Sequence, residues 1–160
     1  MSNRMSHEER FQQLALELPP AGKSISVYKL VLVHNGLAYL SGHGPVGADG
    51  TGTVGRLGDT MQQEEGYEAA RRTGLRMLST LRQEFGSLDA IGRLIKTTGF
   101  VNSTPDFKDH PAVINGFSEL MRDVFGSDNG VGARSAFGVA ALPGGWAVEI
   151  EAIFELAAKK

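Results

Sequence analysis

The run from Val148 to Leu156 constrains this chain more than any other stretch. Val148, Ile150, Ala152, Phe154 and Leu156 alternate with Glu149, Glu151, Ile153 and Glu155. A period of two gives a β-strand one apolar face and one face rich in carboxylates. Leu142-Pro143-Gly144-Gly145-Trp146 precedes it with the composition of a turn. Upstream lies a second strand, with Ser135, Phe137 and Val139 on one side and Arg134, Ala136, Gly138 and Ala140 on the other. The two read as a hairpin. Placing Phe137 and Val139 in the core beside Val148, Ile150 and Phe154 requires Ala141 to pair with Val148. Arg134 then faces Glu155, and Glu149 faces Ala140. Arg134 and Glu149 are six residues apart on that ladder, roughly 20 Å at about 3.4 Å per residue. Small residues beside the arginine leave a floor for a small anion. For Glu149 to serve the same ligand, a bulge or a subunit boundary must bring it there, and the boundary is the expected route.

The rest of the chain supplies a partner layer. Ser6-His7-Glu8-Glu9 fits a capping box for a first helix carrying Phe11, Leu14, Ala15 and Leu18, stopped by Pro19-Pro20. Ile25 to Val33 reads as a strand bearing Tyr28, His34-Asn35-Gly36 as a tight turn, and Leu37 to Ser41 as the return strand. A long helix starts at Asp59-Thr60 and ends at Gly86-Ser87. It places Tyr67, Ala70, Gly74, Leu78, Leu81 and Phe85 inward, and its arginines form a solvated face with Glu64 and Glu68 as partners. Leu94 to Val101 is a strand. A helix from Pro111 carries Val113, Ile114, Phe117, Leu120, Met121, Val124 and Phe125 on one face. The order strand, strand, helix, strand, helix, strand, strand predicts an α+β two-layer sandwich. Its second sheet face, bearing Arg134, Glu149 and Glu151, suits contact with another copy.

Several chemistries are excluded. The chain has 160 residues, no cysteine and a formal charge of −2. Disulfides and thiolate chemistry are impossible, and no basic run points to nucleic acid. The polar N-terminus lacks an apolar signal core and no 18-residue apolar run occurs, so neither a membrane nor a secretory route is expected, and a cytoplasmic location is. His7, His34, His43 and His110 have no metal-ligand spacing. Gly42-His43-Gly44-Pro45-Val46-Gly47 is formally G-x-G-x-x-G, but more loop follows it instead of a helix, so a flap or hairpin from Gly42 to Gly58 is the better reading. His43 either lines a cleft or is a hydrogen-bonded loop histidine. Arg134 with a glutamate remains: a planar fork for a carboxylate and a group able to orient or deprotonate water, or else a structural ion pair.

Ala133-Arg134-Ser135, Val139-Ala140-Ala141-Leu142-Pro143 and Val148-Glu149-Ile150-Glu151-Ala152-Ile153 resemble the C-terminal signature of the Rid/YjgF family of reactive-intermediate deaminases, whose members often carry the label endoribonuclease L-PSP. Ser41-Gly42, Gly44-Pro45 and Ile95-Lys96-Thr97-Thr98 resemble its other landmarks. The resemblance implies a chorismate-mutase-like ββαβαββ fold over residues 25–160, preceded by a helical extension over residues 1–24, and a homotrimer with clefts between subunits. It implies cofactor-free hydrolysis of small 2-imino or enamine acids to 2-oxo acids and ammonia. In that scheme Arg134 clamps the carboxylate, Glu149 positions the attacking water, and the Gly42 backbone holds the imine end. Tyr28 and Asn115 match the family's cleft tyrosine and asparagine. Ala136 replaces a cysteine, and His43 replaces a glutamine or aliphatic residue. These departures, with Gly66-Tyr67-Glu68-Ala69-Ala70-Arg71 and Val113-Ile114-Asn115-Gly116-Phe117, mark a distinct branch. The alternative is a non-catalytic module that binds a small carboxylate metabolite, and a ribonuclease comes third.

Overall fold

The computed structural model describes residues 5–158; residues 1–4 and 159–160, the outer ends of the two expected segments, lie outside it. The elements are α1 (His7–Gln13), β1 (Val31–His34), β2 (Leu37–His43), α2 (Gln63–Phe85), β3 (Ile91–Asn102), α3 (His110–Asn129), β4 (Ala133–Val139) and β5 (Val148–Leu156). One sheet of five strands runs β1-β2-β5-β3-β4, and α2 and α3 cover one face. The expected α+β two-layer ββαβαββ sandwich with an added N-terminal helix is what forms.

Alternation in β5 puts Val148, Ile150, Ala152 and Phe154 into the core. They meet Met77, Leu78 and Leu81 of α2 and Ile114, Phe117 and Leu120 of α3 in one buried cluster. The two helices pack closely because Gly116 presents bare backbone: a Cβ there would collide with the Tyr67 carbonyl. The capping box at Ser6 and Glu9 forms as expected, and Phe11 joins the core. The Glu8 carboxylate pairs with Arg82 at 2.8 Å. No described helix is long and apolar enough to cross a membrane.

Several expectations need correction. β4 and β5 are not a hairpin. β3 lies between them, parallel to β4 and antiparallel to β5. A strand of 12 residues with buried Thr97 and Val101 hydrogen-bonds on both edges, and the β3-α3-β4 crossover delivers β4 to its far side. Leu142–Trp146 therefore bridges across a strand instead of closing a tight turn. The faces of β4 are also inverted. Arg134, Ala136 and Gly138 share the helix side with their partners Thr97, Gly99 and Val101, whereas Phe137 is 43% exposed on the open face and stacks edge-on against Phe100. The core on that side is filled by α3, so the small positions face it.

The first strand is shorter than Ile25–Val33: Ile25 and Val27 are fully exposed, and Tyr28 lies in the bend before β1. α2 begins at Gln63, where Gln62 and Glu65 make the cap, and ends as expected at left-handed Gly86. α1 ends at Gln13, before the prolines, where Ala15 takes a positive φ. The α2 arginines do not pair with Glu64 or Glu68 among the described residues; Arg82 binds Glu8 and Arg72 reaches Thr53. The glycine-rich loop is pinned by a bridge from Val54 to Trp146. Its Gly44 is glycine because the Trp146 indole lies directly on it, so a Cβ there would collide with the ring.

Candidate functional site

The glutamate half of the site is built by β5 and an irregularity in β2. Because Val148 and Ile150 are buried, Glu149 and Glu151 must project to the open sheet face. Across from them, β2 pairs Leu40 with Ala152 and His43 with Ile150, so three steps on β2 match two on β5. This is a one-residue bulge at Ser41-Gly42. It brings the Gly42 backbone against the Glu149 carboxylate: a Cβ on Gly42 would lie 2.8 Å from Glu149 Oε1. Partial burial, assisted by the charge of Glu151, pushes the Glu149 carboxyl pKa up. Beside it a concavity of about 390 Å³ is lined by Lys29, Tyr39, Ser41, Lys96, Thr98 and Glu151.

The same bulge decides the fate of His43. The extra residue flips strand parity, so Leu40 and His43 both face the helices. His43 is 2% exposed. Its Nδ1 lies 2.7 Å from the Ser41 carbonyl and its Nε2 2.9 Å from Thr80 Oγ1. Burial lowers its pKa to about 4. It is a hydrogen-bonded core histidine turned away from Glu149, and it does not line the cleft of this protomer.

The arginine half lies at the edge of the sheet. Arg134 Nη1 donates to Asn115 Oδ1 at 2.8 Å and to Ser118 Oγ at 3.1 Å. Asn115 and Ser118 are one helical turn apart on a half-buried flank of α3. A cavity of about 200 Å³ opens there, lined by Thr97, Asn115, Ser118, Gly132 and Arg134. No carboxylate pairs with Arg134 among the described residues. Ala136 follows on the same face, opposite Gly99. The structure therefore brings Arg134 and Asn115 together and, separately, Glu149 and Gly42. Ser118 and the bulge were missed by the sequence reading; the spacing of three from Asn115 is the one signal that points to Ser118. Tyr28 is half exposed in the segment before β1.

The halves do not meet within one protomer. Arg134 is in register with Thr97, and Thr97 with Ala152. Glu149 is three residues along β5, roughly 10 Å away along the strand and about 9.5 Å across two strand spacings. It also points to the opposite face of the sheet.

The sequence profile described as Endoribonuclease L-PSP matches residues 20–156. The chain belongs to this family, also known as Rid or YjgF. The chain is 38% identical over 145 residues to Protein TCP17 of Trypanosoma cruzi, covering 91% of each chain. The crystal structure of a protein of unknown function from Agrobacterium tumefaciens superposes with a TM-score of 0.85 at 33% identity, covering 94% of this chain and 92% of that one. The Rid-family protein YyfA from Yersinia pestis gives a TM-score of 0.58 at 27% identity, over 87% and 95% of the respective chains.

Proposed function

We propose that this Rid-family protein hydrolyses small 2-imino or enamine acids to 2-oxo acids and ammonia, in clefts between the subunits of a homotrimer. The observation that carries the reading is Arg134: a half-buried guanidinium held by two neutral groups and, among the described residues, paired with no carboxylate. Its remaining donors suit a bidentate grip on the carboxylate of a small acid. Asn115 and Ser118 orient the fork, so little ordering is left for the ligand to impose.

Glu149 supplies the other requirement. Its raised pKa brings it nearer the range useful for proton exchange at neutral pH. Water attacks the C=N carbon while Glu149 takes its proton, and the proton passes to nitrogen. The resulting carbinolamine loses ammonia as the C–N bond breaks and the carbonyl forms. Because Arg134 and Glu149 lie on opposite faces of one sheet, this mechanism takes each from a different copy of the chain. The balance of atoms needs only water, and no cofactor takes part in the scheme.

The test is ammonia release from 2-aminoacrylate or 2-iminobutanoate generated in situ. Wild-type protein should accelerate it, and Arg134→Ala should not. Equal rates for both would remove Arg134 from the mechanism. One observation favours a second reading, a non-catalytic receptor for a small carboxylate: the arginine half is complete within a single protomer. Calorimetric binding of a 2-oxo acid without turnover of any imine would decide for the receptor.

A further inference from the structure

A third cavity, of about 390 Å³, opens at the carboxyl end of the parallel β3–β4 pair. It lies beyond the Arg134 cavity: Gly138 is four residues further along the same face of β4, roughly 13 Å away. Arg56, Ser103, Phe107, Lys108, His110 and Gly138 contribute to its walls, and among the described residues neither aspartate nor glutamate does. Arg56 enters from the end of the glycine-rich loop. Its Nε is buried without a hydrogen-bond partner, and no carboxylate pairs with it among the described residues.

Ser103 Oγ and His110 Nε2 lie 3.1 Å apart, and both rest against bare backbone. A Cβ on Gly138 would come within 2.5 Å of Ser103 Oγ and 2.6 Å of His110 Nε2. This glycine keeps an ordinary backbone conformation, so it is the space, and not φ, that a side chain would take. His110 also opens α3, whose preceding Asp109 makes no side-chain cap. The partly positive helix end adds to the same field and is partly offset by the Asp109 charge, which acts on the His110 ring from outside the cavity lining. Such a position, at the carboxyl end of a strand–helix–strand unit, is where crevices form in parallel sheets.

Charge selects the ligand class. Arg56 and Lys108 carry permanent positive charge and the lining has no negative one, so a dianion satisfies both while a monoanionic carboxylate leaves one cation unpaired. A phosphate monoester is close to a dianion at neutral pH. The cavity is larger than a phosphate, and Phe107 and Val139 offer apolar wall for an organic body. We propose that this cavity is a second ligand site, which takes a small organic phosphate monoester with its phosphoryl group between Arg56, Lys108 and His110.

The experiment titrates isotope-labelled full-length protein with phenyl phosphate, inorganic phosphate and phenylacetate in parallel, following the Ser103 and Gly138 amides and the His110 ring by NMR. Phenyl phosphate should give saturable shifts at these three reporters. Phenylacetate should bind at least about tenfold more weakly, as should phenyl phosphate to Arg56→Gln, whereas Arg134→Gln should leave its affinity unchanged. Gly138→Ala should block the site, and Arg56→Gln serves alone if that variant does not fold. No saturation, equal affinity for phenylacetate, or a loss caused by Arg134→Gln and not by Arg56→Gln would overturn the assignment. Inorganic phosphate binding as tightly as phenyl phosphate would remove the organic body from it.

Discussion

Arg134 and Glu149 differ in what their surroundings do to them. Among the described residues the guanidinium pairs only with the neutral Asn115 and Ser118, so Arg134→Ala removes two hydrogen bonds at a sheet edge and should cost about 1–2 kcal/mol of stability. Its effect on imine hydrolysis should be far larger, about a hundredfold or more in kcat/KM, measured as ammonia release. For Glu149 the sign runs the other way from an ordinary surface acid. Its folded pKa is raised by burial and by Glu151, so the unfolded chain gives up the proton first. The charged form therefore costs stability from the unfolded pKa upward. Glu149→Gln should raise the urea midpoint at neutral pH and lose that advantage in acid, while the wild-type rate should climb with pH through the raised pKa. His43 titrates in the opposite sense. Its pKa falls from 6.5 to about 4 on folding, so below pH 6.5 the unfolded chain binds the extra proton. Stability should then drop by up to about 3 kcal/mol as pH falls from 6.5 towards 4. His43→Gln should flatten that part of the pH–stability curve.

Among the elements, β2 does the most with the least sequence. One added residue at Ser41-Gly42 sends His43 into the core and leaves the Gly42 backbone against Glu149. Gly42→Ala should therefore displace the carboxylate and reduce turnover while the Arg134 half still binds a 2-oxo acid, a split that kinetics and calorimetry together would show. Gly116 tests packing instead of chemistry. A methyl group there meets the backbone of α2, which cannot rotate away, so Gly116→Ala should destabilise by about 3 kcal/mol or more in a denaturant titration.

For the whole molecule, the proposed reaction requires more than one copy of the chain, because one sheet separates its two key groups. The open face carries partly exposed Leu32, Tyr39 and Phe137, apolar surface suited to a like neighbour. Sedimentation should find a trimer. Complementation is the sharper measurement. Arg134→Ala and Glu149→Gln, each inactive alone, should regain activity when unfolded together and reassembled. With random mixing about a quarter of the clefts receive both intact groups, and about a quarter of wild-type activity should return. No recovery would place both groups in one protomer's site or in none.

Local periodicity was enough to read the layer architecture, the capping box at Ser6, the turn at Asn35-Gly36 and the Gly86 stop, since each depends on residues a few positions apart. The flanking signature singled out Arg134 and Glu149 as candidates, and what surrounds each of them was not in it. Periodicity also showed that β4 has two faces, but which one is buried depends on α3 and β3, and the reading from β5 alone chose the wrong one. The neighbour of each strand was equally out of reach: β3 fills the place where a hairpin was expected because its two edges both need partners. The bulge that buries His43, the Asn115–Ser118 grip on Arg134 and the Ser103–His110–Gly138 notch all join segments distant in the chain. Such contacts follow from how the layers close on one another, and only the tertiary structure decides that.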